Sequence, residues 1–221
     1  MTAVAIFVKT PGLSPVKSRL AADIGQALAT QCHLRCARAV AAVARASTIG
    51  PVYWAVAEDE STTHAIWHDL PRLAQGSGGL GARMQRVHDS LVQAHGSGLL
   101  IGADLPQLTV GMLHQAASHL APGPARAVLG PARDGGFWLV GGNVLFGEAC
   151  WSAPAYGGAD VRRCFLDASP DELAWLLLPE RTDLDQADDL ATVISELSGV
   201  APAQHAQREL LEWLSLNFGN N

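Results

Sequence analysis

Asp104 is the residue of this chain best placed to do chemistry, because it ends an apolar run and is followed closely by Pro106. The uncharged residues Leu99 to Gly102 are typical of a central parallel strand that is buried on both faces. Asp104 then lies at the carboxyl end of that strand, the edge where open α/β sheets bind ligands. A carboxylate there can hold a divalent cation against phosphate oxygens, whereas Thr109 is the better placed residue to cap the helix that follows. Asp104 is therefore a candidate catalytic and metal-binding residue.

A basic loop follows the first predicted strand, Ala3 to Val8, and precedes a predicted helix, whose amino terminus favours anions. An arginine in such a loop can bind two phosphate oxygens, and a lysine can supply a point charge. Because the loop lies at the same sheet edge as Asp104, we interpret it as a phosphate-binding loop rather than a solvated turn. Its candidate substrate-binding residues are Lys9, Pro11, Gly12, Lys17 and Arg19.

A glycine-rich turn precedes a helix with apolar residues at helical spacing from Leu80 to Leu91. Its glycines fit the spacing of a dinucleotide-binding motif, but the preceding strand is weak and the acidic residue that binds the ribose is missing. We expect either a turn whose backbone amides approach a ligand or a flexible lead into the helix. The candidate substrate-binding residues here are Gln75, Gly76, Gly81 and Arg83.

Two further acidic segments are candidates for the same site. Asp134 is a candidate to orient an acceptor hydroxyl, act as a base or join a metal shell, and Gly135 and Gly136, which follow it, are candidate substrate-binding residues. An Asp-Gly pair between strands is also an ordinary hairpin turn, so both interpretations stay open. Asp183 and Asp185 are two residues apart, so either can meet Asp104 across a metal ion.

The second of these late carboxylates has an alternative role. Asp185 is also placed to cap a helix beginning at Gln186, and the capping and metal-binding roles are compatible.

The composition limits the classes of protein to which this chain can belong. The chain has 221 residues, 48% of them hydrophobic and 16% charged, and a formal net charge of −6. These values predict a packed core and argue against binding of nucleic acid. The sequence shows neither a signal peptide nor an apolar run of the roughly 18 residues that span a membrane, so we expect a cytoplasmic protein. The four cysteines lack CxxC spacing and are expected to be buried free thiols.

Predicted strands and helices alternate along most of the chain, which indicates an α/β fold with a mostly parallel sheet. The alternation breaks around Asp134, where two strands flank the turn and predict a mixed sheet. Two helices, at about 186–197 and 202–216, close the chain. The last helix is expected to pack on its own sheet or on the second subunit of a homodimer.

Taken in order, these segments resemble the bacterial glycosyltransferase-like family DUF2064, also called radical-SAM/selenodomain-associated transferase 1. The resemblance covers about Ala3 to Thr192. It is carried by KxP and VKSRL in the basic loop, QG and LGxRM at the glycine-rich turn, GxDxP at Asp104, GPAxDGG at Asp134, WS at Trp151 and DxD at Asp183.

The resemblance implies a GT-A-like, Rossmann-like fold, which is a three-layer α/β/α sandwich with a mostly parallel mixed sheet, formed by residues 1–221 as a single domain. It also implies a metal-dependent transferase that uses a nucleotide-activated small molecule, with Mg²⁺ or Mn²⁺ held by Asp104 and by Asp183 or Asp185. We expect a nucleotide-sugar glycosyltransferase. The alternatives are a nucleotidyltransferase that joins a nucleoside triphosphate to a small phosphorylated acceptor, and a degenerate module that binds a nucleotide or a partner without turnover.

Overall fold

The computed structural model of the protein describes residues 1–58 and 63–219, which form an α/β fold around one sheet. The strands are β1 (Thr2–Val8), β2 (Val52–Val56), β3 (Arg72–Ala74), β4 (Ser97–Gly102), β5 (Arg126–Pro131), β6 (Phe137–Gly142) and β7 (Ala174–Leu177). The helices are α1 (Ser18–Ile24), α2 (Gln26–Ser47), α3 (Thr63–Ile66), α4 (Leu80–His95), α5 (Val110–His119), α6 (Glu148–Ser152), α7 (Val161–Asp167), α8 (Asp189–Gly199) and α9 (His205–Phe218).

The strand order is β3-β2-β1-β4-β6-β5-β7, and every neighbouring pair is parallel except those that involve β6. β6 runs antiparallel to both β4 and β5. The mostly parallel mixed sheet is therefore confirmed, and its one reversed strand follows the turn that contains Asp134. Because the other strands all run in one direction, their carboxyl ends share one edge of the sheet.

Helices cover both faces of the sheet, as the burial of β4 on both of its faces requires. Leu99 and Ile101 pack in a fully buried cluster with α2 and α5, whereas Leu100 packs in a second cluster with α4. A strand that is buried on both faces has no side chain directed to solvent, which explains why the run in the sequence is uncharged. This arrangement confirms the three-layer α/β/α sandwich.

The tryptophans and cysteines serve mainly as core residues. Trp54, Trp67, Trp138 and Trp151 rank among the largest fully buried side chains of the described ranges. Cys32, Cys36 and Cys150 are buried free thiols, and Cys164 is half-buried.

Two of the helices predicted from the sequence have different bounds in the structure. The helix after the basic loop is interrupted at Gly25, whose φ of 84° is a backbone conformation that glycine adopts readily. The helix expected from Gln186 begins only at Asp189, because the Asp189 carboxylate accepts the backbone N–H groups of Asp185 (2.9 Å) and Gln186 (2.8 Å). The prediction that Asp185 caps this helix is therefore wrong. Thr109, by contrast, does cap α5 by accepting the N–H of Met112 at 3.2 Å.

The last helix packs within its own chain. Leu210 and Leu214 of α9 are fully buried in a cluster with residues of α2 and α8. Within the ranges that the structure describes, no helix has both the length and the apolar character needed to cross a bilayer.

Candidate functional site

A cavity of about 240 Å³ opens at the carboxyl ends of β1 and β4, and we call it the first cavity. The polar side chains that line it belong to Lys9, Lys17, His33, Gln75, Asp104 and Asp185. Lys9 and Lys17 are the only two lysines of the sequence. The sheet edge predicted from the sequence therefore brings the basic loop, Asp104 and one of the late carboxylates together.

Lys17 and Asp104 form a salt bridge at the base of this cavity. The Lys17 Nζ lies 2.7 Å from Asp104 Oδ2, and the lysine side chain is only 2% exposed. Lys17 also donates a hydrogen bond to the carbonyl oxygen of Leu184. Its φ of 51° is left-handed, a conformation uncommon for a residue other than glycine. The lysine that we expected to meet a phosphate is thus directed at a carboxylate and a carbonyl of its own chain.

The ion pair controls the charge state of both partners. Burial alone would lower the pKa of Lys17, but the attraction of Asp104, together with its hydrogen bond to Lys17 and other smaller contributions, outweighs burial and raises the pKa above its usual value. Burial alone would likewise raise the pKa of Asp104, but Lys17, and then His33, hold it well below its usual range. Asp104 therefore remains an anion and Lys17 a cation at neutral pH.

His33 is a site residue that the sequence reasoning missed. Its Nδ1 lies 3.9 Å from Asp104 Oδ1, and its Nε2 donates to the carbonyl oxygen of Lys9 at 3.0 Å. The imidazole thus connects the carboxylate to the start of the basic loop. Its position beside Cys32, on the buried side of α2, was the only signal in the sequence, and that signal is equally typical of a core histidine.

Asp183 and Asp185 face different cavities. Asp185 lines the first cavity and pairs with Arg19, with 3.0 Å between Asp185 Oδ2 and Arg19 Nη1. Asp183 lines a second cavity of about 160 Å³ together with Asp134. Leu80 lines both cavities, which are therefore neighbours.

The Asp183 carboxyl resists ionisation. Burial, and then the negative charge of Asp104, raise the pKa of Asp183 to about 7, with smaller contributions from Asp134 and Asp185. Its Oδ1 atom is buried and has no hydrogen-bond partner among the residues that the structure describes, and the same holds for Oδ1 of Asp104. The structure thus places several carboxylates around the boundary of the two cavities, and two of them have an unpartnered oxygen.

Asp134 lies in the turn between β5 and β6 and also lines the second cavity. Its Oδ1 accepts the backbone N–H of Gly136 at 2.9 Å, which stabilises the turn, while the exposed side chain lines the second cavity. Gly135 has a φ of 89°, and a Cβ there would lie 1.8 Å from the carbonyl oxygen of Ala159. Gly135 is thus needed by the packing of the loop, and Gly136 lines the second cavity.

Most of the glycine-rich turn has a structural role. Gln75 lines the first cavity, and its Nε2 donates to the carbonyl oxygens of Val8 (3.3 Å) and Ala55 (2.9 Å), which joins the ends of β1 and β2. A Cβ on Gly81 would lie 2.0 Å from the carbonyl oxygen of Trp151, so this glycine permits close packing of α4. Arg83 donates to the carbonyl oxygen of Gly78 at 2.9 Å.

Several candidate substrate-binding residues lie beside the cavities rather than in their walls. Among the described residues that line the two cavities, seven candidates do not appear: Pro11, Gly12, Arg19, Gly76, Gly81, Arg83 and Gly135. Arg19 nevertheless reaches the first cavity through its contact with Asp185.

The site suits a divalent cation only when a substrate supplies part of the ligand set. Within the described ranges, no group of three or more His, Cys, Asp or Glu side chains is arranged to hold a metal ion. The buried and unpartnered oxygens of Asp104 and Asp183 are suitable ligands, however. Mg²⁺ typically takes one or two carboxylates and completes its shell with water and phosphate oxygens. The donor set therefore fits such an ion.

Residues 36–153 match the model of a family described as an uncharacterized protein conserved in bacteria, DUF2064. No curated protein matches the chain.

Solved structures show a similar fold. A candidate nucleotide-diphospho-sugar transferase from Desulfovibrio desulfuricans G20 has 22% identity, a TM-score of 0.79, and coverage of 96% of this chain and 97% of its own. A 4-diphosphocytidyl-2C-methyl-D-erythritol synthase from Anaerococcus prevotii DSM 20548 has 12% identity, a TM-score of 0.54, and coverage of 89% and 96%. A Mycobacterium sp. strain JC1 homologue of Mycobacterium tuberculosis Rv0371c has 13% identity, a TM-score of 0.52, and coverage of 88% and 97%. These similarities confirm the GT-A-like fold.

Proposed function

Because this chain belongs to the DUF2064 family of bacterial proteins, and because its two lysines meet Asp104 in one cavity, we propose that it is a transferase acting on a nucleotide-activated donor. The observation that carries the proposal is the first cavity, where cationic and anionic groups converge at the carboxyl edge of a mostly parallel sheet. The similar fold of the Desulfovibrio protein, a candidate nucleotide-diphospho-sugar transferase, supports the same class.

In this proposal the residues of the first cavity bind the diphosphate of the donor. Lys9 is exposed and its ammonium is available for phosphate oxygens, and Arg19, which contacts Asp185 of the cavity lining, has a side chain that is 64% exposed. Lys17 has another role, because it keeps Asp104 ionised and oriented. In the basic loop, the buried Lys17 thus orients Asp104, whereas the accessible Lys9 and Arg19 bind phosphate.

A divalent cation fits the proposed reaction. Asp104, through its unpartnered Oδ1, and Asp183 or Asp185 would hold Mg²⁺ or Mn²⁺ together with the donor phosphates. When bound, the ion would stabilise the negative charge that develops on the departing phosphate group. Asp134, in the neighbouring second cavity, would orient the acceptor hydroxyl.

Glycosyl transfer from a nucleotide sugar is the specific reaction that we propose, with nucleotidyl transfer as the second candidate. In the first reaction the nucleoside diphosphate leaves, and in the second pyrophosphate leaves. The fold shared with the Anaerococcus diphosphocytidyl-methylerythritol synthase is the observation that favours the second candidate.

A thermal-shift panel tests the proposal. We expect nucleoside diphosphates, nucleotide sugars or triphosphates to raise the melting temperature only when Mn²⁺ or Mg²⁺ is present. Asp104→Asn should abolish this shift, whereas Asp167→Asn, which removes an exposed carboxylate that lines neither cavity, should keep it. The absence of a shift with every nucleotide would contradict the proposal. Detection of a nucleoside diphosphate or of pyrophosphate as product then decides between the two reactions.

A further inference from the structure

The second cavity carries an inference about the acceptor, and this inference rests on the proposed function, in which the acceptor is the second substrate. The cavity lies beside the first one because Leu80, which is 47% exposed, lines both. A molecule in the second cavity would therefore lie next to a donor in the first.

Apart from Tyr156, the polar side chains among the described residues that line the second cavity are the two carboxyl groups of Asp134 and Asp183. The buried Oδ1 of Asp183 has no hydrogen-bond partner among the described residues, and such an orphaned oxygen costs free energy until a donor reaches it. Asp134 Oδ1 is already used by the Gly136 amide, which leaves its second oxygen for a ligand. Carboxyl oxygens accept hydrogen bonds, so the matching ligand group is an O–H or N–H donor.

The cavity has no countercharge for an anionic ligand. Of the described residues that line it, none is Lys, Arg or His. Asp134 and Asp183 instead bring two carboxyl groups into the lining, and their field opposes a further negative charge. A phosphate monoester carries up to two such charges, so it would bind there at a large electrostatic cost.

The rest of the wall is apolar and leaves little space. Met84, Phe137 and Val161 line it, as does the ring of Tyr156, whose hydroxyl is occupied because it donates to the carbonyl oxygen of Trp151 at 3.0 Å. The volume of about 160 Å³ is small beside the roughly 300–1,000 Å³ of pockets for drug-sized ligands. The acceptor that fits is thus small, with an apolar surface on the side opposite its polar group.

From these observations we propose that the second cavity binds a small, uncharged alcohol with an apolar body, whose hydroxyl is directed at Asp134 and Asp183, and that it rejects phosphorylated acceptors. Of the two late carboxylates, Asp185 in the first cavity is then the metal ligand. The selectivity follows from an apolar wall, two acceptor side chains and the lack of a cation among the described lining residues. It favours glycosyl transfer to an alcohol over nucleotidyl transfer to a phosphorylated acceptor.

Methionine methyl groups provide a direct readout of this cavity. The chain has three methionines, Met1, Met84 and Met112. Met84 lines the second cavity, whereas Met112 packs in the cluster on the opposite face of the sheet and serves as an internal control. With ¹³C-methyl-methionine labelling, the full chain is titrated with benzyl alcohol and, separately, with benzyl phosphate.

We expect benzyl alcohol to shift the Met84 signal saturably while Met112 stays in place, and benzyl phosphate to bind at least about tenfold more weakly. Asp134→Lys should remove or reverse this preference because it introduces a cation into the wall. The matched charge change Asp167→Lys, outside the cavity, should leave the preference intact. Equal or tighter binding of benzyl phosphate, or a Met84 signal that neither compound moves, would overturn the inference.

The outcome is separable from that of the proposed function. If nucleotides stabilise the protein with metal but benzyl phosphate is preferred at Met84, the acceptor inference fails and the proposed function stands. If benzyl alcohol is preferred but no nucleotide binds, the selectivity of the cavity stands and the proposed function fails.

Discussion

The Nζ of Lys17 and the Oδ2 of Asp104 lie 2.7 Å apart, so the loop after β1 is joined to the end of β4 by a buried ion pair. This contact gives Lys17 a different neighbour from the phosphate that the sequence suggested. It also explains why Asp104 can be a stable anion in a partly buried position, since the cation that compensates it belongs to the same chain. Lys9 and Arg19 are then the accessible cations of the loop.

Removal of the Lys17 charge should destabilise the protein. Lys17→Met leaves Asp104 without its partner, and we expect the free energy of unfolding to fall by about 2 kcal/mol. The value is below that of a fully buried pair because the Asp104 side chain is 37% exposed and partly screened by solvent. Urea denaturation measures this change.

The Arg19–Asp185 pair provides the control, because both side chains are exposed. Arg19→Met should change the stability by less than about 0.5 kcal/mol. The double variant Lys17→Met/Asp104→Asn should recover part of the loss, since no buried charge is then left alone. A loss for Lys17→Met no larger than that for Arg19→Met would show that the ion pair contributes little.

Lys9 should contribute to ligand affinity and not to folding. Its side chain is available at the edge of the first cavity, so Lys9→Gln should weaken the binding of a nucleotide by about tenfold, the effect of losing one charge-assisted contact. Titration calorimetry with the best nucleotide from the thermal-shift panel measures the change. Arg38→Gln, which removes a charge from the exposed side of α2, should keep the affinity of the parent protein.

Asp183 should make the stability depend on pH. In the unfolded chain an aspartate has a pKa of about 3.9, whereas in the folded protein the pKa of Asp183 is about 7. Between these values the folded state binds more protons than the unfolded state, so its stability falls as the pH rises from about 4 to 7. Asp183→Asn removes this proton uptake, and its stability relative to the parent protein should rise by about 2 kcal/mol across that window and stay constant above it.

Unfolding curves of the two proteins at pH 4.5, 6 and 8 test the effect of Asp183. A stability difference that is the same at all three pH values would show that the carboxyl ionises normally in the folded state.

Gly81 should be required for packing and not for ligand contact. Alanine is the better helix former by about 1 kcal/mol, but its Cβ would lie 2.0 Å from the carbonyl oxygen of Trp151. The clash outweighs the helix preference, and we expect Gly81→Ala to lose about 2 kcal/mol of stability by urea denaturation.

Gly79 is the matched position for this test. It precedes α4 with a φ of −69°, and a Cβ there would meet nothing within 4 Å. Gly79→Ala should therefore change the stability by no more than about 0.5 kcal/mol. A stable Gly81→Ala protein with weakened nucleotide binding would instead favour the ligand-binding role first expected for this glycine.

The sequence by itself determined the secondary structure of several segments and the edge of the sheet at which the site lies. The uncharged run before Asp104 predicted a strand buried on both faces, and the apolar spacing from Leu80 predicted α4, because both patterns depend on neighbouring residues. The Asp-Gly turn predicted the hairpin that makes the sheet mixed. Strand direction then brings the ends of β1 and β4 together, so the basic loop and Asp104 were expected to meet.

Only the tertiary structure decided which of these groups contact one another. Lys17 and Asp104 pair, Asp183 and Asp185 face different cavities, and His33 joins the site from the buried side of α2. Spacing along the chain does not encode these contacts, because they depend on how loops pack above the sheet edge. Gly81 is a second example of a contact that the sequence does not encode. Its motif suggested a role in ligand binding, but the structure shows that its small size lets the carbonyl oxygen of Trp151 pack close to α4. The residue types of the site are local information, but their charges and partners are a property of the folded chain.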